Sequence, residues 1–531
     1  MLQEYSPLLH SNSSSFRRNH ASSNPLSDIT GASFSQTISI PEENKSKRFC
    51  IGISSTLVLS LGGLIVGYGL GYSSPASADL SKSPLNAIIF PLFSSLYNLG
   101  GAIGSLLTLA TLNRLGRKFS LYLSLILFQI GWLLIAIVPK NPYSLIAGRV
   151  VSGLGMGICT TVTPTYLAEI SPPKYRGFYC SFFQFFIALG ILVVYSLGAC
   201  LGTLTHHGII KDTRYLSADN YVYLALFIVL VITIQSILLF YLYPSPYWLL
   251  FKSLHAKAYK VFSYYWGYSN EASIEISQVV GRVRYIGPNQ IRTLLLPEVF
   301  APCLVGCGIM FFQQFTGINA LVFYESSILQ TSLLKYELSG NVASIPPALV
   351  QVIFTIIASL CVDKIGRKKL LILASIGMGF SMAILTVYEV FVTYPNLYLD
   401  CTLSGNALVD SIQCQLLGWT AIASICIFNA AFALGWGPVP WIVVAEITNV
   451  RWKNLTMGVI VFVSWFSAFI VTLIFPYYKD LVYSFGVFST FFIFNILSII
   501  FVVILLPETR KKNLIEIENF FGSKAFPFFR F

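Results

Sequence analysis

Charged residues are scarce in this chain: Asp, Glu, Lys and Arg make up 11% of its 531 residues, against about 25% in soluble domains. Many windows of about 20 residues carry almost no charge, which is long enough to cross a hydrocarbon core about 30 Å thick. This scarcity excludes a soluble protein. The runs are continuous and do not alternate every second residue, so they predict an all-α polytopic membrane protein and not a β-barrel.

Sequence motifs of catalysis are missing as well. The chain has no phosphate-binding loop, no nucleophile elbow and no metal-ligand spacing among its ten cysteines. We therefore expect no enzymatic activity, no cofactor, no metal site and no ATP-driven transport. Cys401 and Cys414 share one expected loop between spans, where a disulfide is an open alternative.

The apolar runs predict twelve membrane spans, which place both termini on the same side of the bilayer. All but seven of the 34 Lys and Arg then fall on that side or in its tails. Such a bias marks cytoplasmic segments, so we expect both termini in the cytoplasm. The net charge of +12 then needs no nucleic-acid partner. The expected spans lie near 51–72, 87–110, 119–138, 144–168, 177–200, 221–243, 300–330, 341–362, 370–393, 416–445, 455–477 and 484–506.

Three motifs occur twice in the same order, which indicates a duplication. NRLGRKFSL (113–121) resembles DKIGRKKLL (363–371), YLAEISPPKYRG (166–177) resembles VVAEITNVRWKN (443–454), and PSPYWL (244–249) resembles PETRKK (507–512). Two six-helix halves with a site between them are one of the architectures of secondary transporters.

The motifs and the composition divide the chain into five expected regions. The N-terminal tail is Ser- and Asn-rich, which predicts disorder. The regions are a cytoplasmic tail (1–48), a first six-helix bundle (49–245), a cytoplasmic linker (246–298), a second six-helix bundle (299–507) and a C-terminal tail (508–531).

A short stretch of the N-terminal tail, EYSPLL, fits the acidic dileucine pattern of sorting signals. Glu4 is followed after three residues by Leu8 and Leu9. Clathrin adaptors read such peptides in exposed cytoplasmic tails. The stretch predicts a protein of endosomal or lysosomal membranes, of the plasma membrane, or of both.

Three amides interrupt the apolar seventh span, MFFQQFTGINALVFYESS (310–327). Gln313, Gln314 and Asn319 donate and accept hydrogen bonds without carrying a charge. Such groups suit the hydroxyls of a sugar and avoid the cost of burying an ion. On an ideal helix Gln314 and Asn319 lie about 140° apart. We therefore expect the helix to loosen at Thr316-Gly317, so that the two amides converge.

The motifs and their order resemble the sugar porter family of the major facilitator superfamily over residues 50–515. The resemblance rests on GRK after the second and eighth spans, the AE…RG type of motif after the fourth, PETR after the twelfth, and QQFTGIN. GYGLGYSSPA and FALGWGPVPW are most similar to class III facilitative glucose transporters of the type-eight-like branch and to insect trehalose transporters. The resemblance implies the major facilitator fold, an internal sugar site and alternating access.

The resemblance also implies sugar contacts from four further spans. Gln184 lies in the fifth span, Gln351 in the eighth, Trp441 in the tenth and Ser464 in the eleventh. Gln351 and Ser464 both stand where many members have Asn. Trp441 would offer an aromatic face to the sugar ring.

A cytoplasmic network of ion pairs that locks the halves together is implied in the same way. Its expected members are Arg114, Arg117, Glu169 and Arg176 in the first half and Arg367, Glu446 and Glu508 in the second. This chain departs from the family at Asn113, where Asp is usual, and at Lys453-Asn454, where Arg-Gly is usual. The departures suggest a weaker lock and a more populated inward-open state.

Proton coupling needs a protonatable group on the transport path. Related symporters carry an Asp in the first span, and the matching position here is Gly69. We therefore expect a facilitative hexose transporter with glucose as its substrate. Three alternatives stay open: a proton–sugar symporter that uses Glu325, a trehalose facilitator, and a sugar sensor that transports little.

Overall fold

The computed structural model describes most of the membrane-spanning part of the chain. The sorting residues Glu4, Leu8 and Leu9 lie outside the described residues, as does Cys401. The division into five regions stays a prediction. The described residues are 44–80, 84–139, 141–172, 176–206, 220–266, 296–332, 340–393, 407–448, 452–510 and 521.

Helices account for the regular secondary structure throughout these ranges, as the long apolar runs predict. Those of the first half are α1 (Asn44–Gly71), α2 (Ser73–Leu80), α3 (Pro84–Arg114), α4 (Gly116–Ile137), α5 (Pro142–Ile170), α6 (Arg176–His206) and α7 (Asn220–Phe240). Two short helices follow in the expected linker: α8 (Pro246–Phe251) and α9 (His255–Trp266).

The second half repeats the pattern with more interruptions. Its helices are α10 (Pro297–Phe315), α11 (Ile318–Ser332), α12 (Gly340–Ala343), α13 (Ile345–Ile365), α14 (Arg367–Thr393), α15 (Ala407–Leu434), α16 (Val439–Ile447) and α17 (Lys453–Leu505).

Within the described residues, eleven helical segments are long and apolar enough to cross a membrane. The last of them, α17, has 53 residues, a length of about 80 Å at the α-helical rise, more than twice the hydrocarbon thickness. Its backbone leaves helical geometry at Tyr483, where φ is 59° and ψ is 170°. We assign α17 to two crossings, which confirms the twelve predicted spans.

One element begins earlier than the sequence suggests. Residues 394–415 were expected to form a loop, but α15 already starts at Ala407. The stretch ALVDSIQCQLL places apolar residues at helical spacing, which extends the tenth span beyond its uncharged core. Cys414 therefore belongs to a helix, and its pairing with Cys401 stays open because Cys401 lies outside the described residues.

The predicted break in the seventh span is confirmed. Helix α10 ends at Phe315 and α11 begins at Ile318, with Gly317 between them at φ +105°. Glycine adopts this left-handed conformation without the steric cost that a Cβ would add. The break separates the two glutamines from Asn319 and lets them turn towards one another.

The two halves meet through pairs of helices that correspond in the duplication. Helix α3 packs against α17, and α6 packs against α13. The first GRK motif follows α3 and the second follows α13, whereas α6 and α17 both follow an AE motif. The interface therefore has the approximate two-fold symmetry that the repeated motifs predict.

Candidate functional site

The amides of the seventh span come together at the break and are joined by a serine of α17. Gln314 Nε2 donates to Ser464 Oγ at 2.8 Å and to Gln313 Oε1 at 3.2 Å, and Asn319 Nδ2 donates to Gln314 Oε1. Each of these four residues is at most 5% exposed. We call Gln313, Gln314, Asn319 and Ser464 the amide cluster.

The hydrogen bonds within the amide cluster decide what it offers to a ligand. Both N–H groups of Gln314 are used inside the cluster. Among the described residues, free bonding capacity remains at Asn319 Oδ1, at the hydroxyl hydrogen of Ser464, and at the second lone pairs of Gln313 Oε1 and Gln314 Oε1. The cluster thus presents both acceptors and a donor, as a neutral polyhydroxyl ligand requires.

The three other expected sugar contacts are buried side chains outside the amide cluster. Gln184 Nε2 would lie 3.3 Å from a Cβ on Gly437, so it faces the break between α15 and α16 from the opposite half. Gln351 and Trp441 are buried on α13 and α16. Within the described part of the chain, no hydrogen bond joins their side chains to the amide cluster.

Sequence reasoning missed two neighbours of the amide cluster. The main-chain carbonyl of Trp436 accepts a hydrogen bond from Gln313 Nε2 at 2.6 Å. Trp465, which follows Ser464, donates from Nε1 to Thr160 Oγ1 of the first half at 3.0 Å. Pro440 was the available signal for the first contact, because it leaves the carbonyl four residues before it without a helical donor. Nothing in the sequence pairs Thr160 with Trp465.

Contacts between the halves close the protein on one side of the amide cluster. We call this side the far end. There the Ser326 N–H donates to Ser74 Oγ at 3.1 Å, and Ser326 Oγ donates to the Ser74 carbonyl at 2.7 Å. The hydroxyl of Tyr195 donates to the Val322 carbonyl at 2.7 Å. These bonds tie α11, the second part of the broken span, to α2 and α6 of the first half.

The opposite side, which carries the repeated GRK motifs, is the motif end. Here Asn454 Nδ2 donates to Asn113 Oδ1 at 2.7 Å, and Arg117 Nη2 donates to Asn454 Oδ1 at 3.4 Å. Both asparagines stand where the resemblance implies other residues, so two uncharged amides make this link between the halves. The amide cluster therefore lies between cross-half contacts at both ends, which is an occluded arrangement.

The structure corrects the expectation that ion pairs lock the two halves together. Each of the two ion pairs among the described residues joins side chains of the same half. Arg117 donates to Glu169 Oε1 from Nη2 at 2.7 Å and from Nε at 3.1 Å, and Ser245 Oγ donates to Glu169 Oε2. Arg367 pairs with Glu446 at 2.9 Å. The pairs connect the repeated motifs of one duplication unit, whereas Asn454 makes the link to Asn113 across the halves.

The remaining members of the expected network differ in role. Glu508 accepts from the backbone N–H groups of Arg367 at 3.1 Å and Lys368 at 3.3 Å. A carboxylate there caps the start of α14 and complements its dipole. Arg114 is exposed, and the side chain of Arg176 lies outside the described residues.

A buried cation in α5 is held without a carboxylate among the described residues. Arg149 is 0% exposed and donates to the carbonyls of Phe93 at 3.1 Å and Gly69 at 3.0 Å and to Ser73 Oγ at 2.6 Å. The Tyr97 ring lies 4.5 Å from the guanidinium carbon, and a Cβ on Gly69 would overlap the Tyr97 hydroxyl. Aromatic rings and carbonyls thus fill the space that a first-span Asp would need.

The link at the motif end gives a first prediction. Replacing Asn454 with alanine removes both of its bonds to the first half, and we expect the open-to-closed ratio of that end to rise by between about fivefold and about thirtyfold, since each hydrogen bond contributes up to about 1 kcal/mol. Spin labels at the exposed positions Arg114 and Ile365 would report the separation by double electron–electron resonance. The control is Gln129→Ala, whose described contact stays within the first half. An unchanged distance distribution in Asn454→Ala would show that the asparagines do not hold this end closed.

The chain matches a family model and known proteins along most of its length. The model of the family described as "Sugar (and other) transporter" matches residues 51–521. The chain is 30% identical over 491 residues to "Solute carrier family 2, facilitated glucose transporter member 8" of Mus musculus, covering 91% of this chain and 97% of that protein. It is 28% identical over 489 residues to "Facilitated trehalose transporter Tret1" of Apis mellifera ligustica, covering 90% of this chain and 89% of that protein.

Solved structures show the same fold. The proton:xylose symporter XylE of the major facilitator superfamily, bound to 6-bromo-6-deoxy-D-glucose, matches with a TM-score of 0.74 at 24% identity. The match covers 88% of this chain and 99% of that chain. The predicted major facilitator fold is thereby confirmed.

Proposed function

The chain belongs to the sugar transporter family of the major facilitator superfamily, and from this premise we propose that it is a facilitative hexose transporter that carries glucose by alternating access. It is a multi-pass membrane protein and not an enzyme. The observation that carries the proposal is the amide cluster, which offers uncharged donors and acceptors between two halves that are linked at both ends.

Transport without proton coupling is supported by the surroundings of Arg149. A symporter that used a first-span carboxylate would need that carboxylate near the buried guanidinium. In this chain Gly69 contributes only its carbonyl, and Tyr97 occupies the adjacent space. The cation is satisfied by dipoles and rings, so nothing at this position takes up or releases a proton.

One observation favours a second candidate, a proton–sugar symporter that uses Glu325. This residue is 1% exposed, and its Oε1 has no hydrogen-bond partner among the described residues. Among the described residues, Tyr195 of α6 and Cys426 of α15 are titratable groups that face it. It precedes Ser326, which closes the far end, so opening that end would change its exposure. Proton coupling needs a carboxyl of this kind.

A second acidic side chain near the far end, that of Glu389, is less suited to coupling. Glu389 of α14 lines a small cavity together with Lys479. A lysine beside the carboxylate supplies an opposite charge, which Glu325 lacks within the described part of the chain. We therefore take Glu325 as the residue that separates the two candidates.

The location and the substrate range belong to the proposal as well. We propose that Glu4, Leu8 and Leu9 are recognised by clathrin adaptors and direct the protein to endosomes or lysosomes, with both termini in the cytoplasm. Trehalose is the alternative substrate, because one of the similar proteins is named as a trehalose transporter. A disaccharide would need more room than a hexose beside the enclosed amide cluster.

Uptake of radiolabelled glucose and trehalose tests these proposals together. The protein is held at the cell surface by Leu8→Ala/Leu9→Ala, and uptake is measured at an acidic and at a neutral external pH. We expect saturable glucose uptake that is the same at both pH values and is kept in Glu325→Gln. Uptake that rises in acid and disappears in Glu325→Gln would favour the symporter. Saturable uptake of trehalose but not of glucose would show that trehalose is the substrate in place of glucose.

A further inference from the structure

We infer that Trp436 is a positioning residue for sugar recognition, which acts through Gln313. Its carbonyl holds the amide nitrogen of Gln313, so that the amide oxygen points into the amide cluster, and its indole ring fixes the place of that carbonyl. The inference rests on the proposed function and adds to it a residue whose described side-chain hydrogen bond goes to Ser375 and not to the amide cluster.

The carbonyl of Trp436 is available because of a proline. Helix α15 ends at Leu434 and α16 begins at Val439. In a continuous helix the Trp436 carbonyl would accept from the residue four positions later, which is Pro440 and has no N–H. The buried carbonyl needs another donor, and Gln313 Nε2 supplies it at 2.6 Å.

This contact fixes which way the Gln313 amide faces. A carbonyl only accepts hydrogen bonds, so the group of Gln313 that faces Trp436 is the NH₂ and not the oxygen. The Oε1 atom then points the other way, where it accepts from Gln314 Nε2 at 3.2 Å. Gln313 therefore presents its Oε1 atom to the site as an acceptor, to which a sugar hydroxyl can donate a hydrogen bond.

The indole ring anchors the carbonyl to helices outside the amide cluster. Trp436 is 0% exposed, and its Nε1 donates to Ser375 Oγ of α14 at 2.7 Å. Ser375 Oγ lies 2.8 Å from Ser498 Oγ, in the part of α17 beyond Tyr483. The ninth and twelfth spans thus hold the break in the tenth span, and through it they hold the amide of Gln313.

Loss of this anchor should weaken sugar binding more than turnover. Trp436→Phe keeps an aromatic ring but removes the N–H that Ser375 accepts. We expect the KM for glucose to rise about fivefold to tenfold, the effect of one misplaced buried hydrogen bond, while the maximal rate per surface transporter stays within about twofold. Ser375→Ala removes the acceptor of the same bond and should act in the same way. Ser381→Ala is the matched control, because this α14 serine donates to the Ser424 carbonyl and is not joined to Trp436.

A double-mutant cycle decides whether Trp436 acts through Gln313. We expect Trp436→Phe and Ser375→Ala to change the KM by less than about twofold when Gln313 is already alanine. Equal changes in both backgrounds, or no change in the KM of correctly folded Trp436→Phe and Ser375→Ala, would overturn the inference. A wild-type protein without saturable glucose uptake would overturn the proposed function, and this inference with it.

Discussion

Replacing Gln314 with alanine is expected to lower glucose uptake per surface transporter by about thirtyfold, the equivalent of about 2 kcal/mol lost from two or more buried hydrogen bonds. Gln314 connects Gln313, Asn319 and Ser464. Its removal takes away one sugar contact and also frees Asn319 and Ser464 from the geometry that lets them meet a sugar hydroxyl. Uptake of radiolabelled glucose, normalised to surface protein, gives the measurement.

A buried amide elsewhere in the protein provides the matched control for this experiment. Gln235 of α7 is 2% exposed and donates to the Val58 carbonyl at 3.3 Å, within the first half. Gln235→Ala should leave uptake per surface transporter within about twofold, even if the loss of its hydrogen bond lowers stability by about 1 kcal/mol. If Gln314→Ala transported glucose as well as Gln235→Ala does, the amide cluster would not be the sugar site.

Replacing Arg117 with alanine is expected to destabilise the protein by about 3–5 kcal/mol, the cost of leaving one member of a buried ion pair alone. Its side chain is 9% exposed and that of Glu169 is 7% exposed. Without the guanidinium, Glu169 would keep the Ser245 hydroxyl but no opposite charge among its described contacts. The thermal unfolding midpoint of the purified protein in detergent should fall clearly below that of wild type.

The double variant Arg117→Ala/Glu169→Gln identifies the cause of this loss. If the cost arises from an unpaired buried carboxylate, neutralising Glu169 should restore part of the stability. Arg114→Ala is the control, because this arginine is exposed and its loss should cost less than about 0.5 kcal/mol. A double variant less stable than Arg117→Ala would show that the carboxylate is not the source of the penalty.

The sequence predicted the centre of the site better than its surroundings. Polar amides within an apolar span indicate a buried polar site by themselves, and Thr316-Gly317 marked the place where the helix could break. The partner of Gln313 could not be predicted in this way, because it is a main-chain carbonyl. Pro440 indicates that such a carbonyl exists, but only the fold places it beside α10.

The motif end shows the same limit. The GRK and AE motifs predicted charged partners, and Arg117–Glu169 and Arg367–Glu446 do pair. Both pairs join motifs of the same half. Such pairs can be predicted from the sequence, because the same motifs occur in both halves. The contact between Asn113 and Asn454 depends on how α3 and α17 are aligned along one another. That alignment is set by packing along the whole interface, so neither motif predicts it.

Glucose counterflow in proteoliposomes tests the central claim most directly, because it requires a carrier that binds sugar alternately from both sides. Vesicles that contain the purified protein are loaded with unlabelled glucose and diluted into labelled glucose at equal pH on both sides. The account predicts a transient accumulation of label that is lost in Gln314→Ala. Absence of accumulation with folded wild-type protein, or accumulation only when protons flow inward, would contradict it.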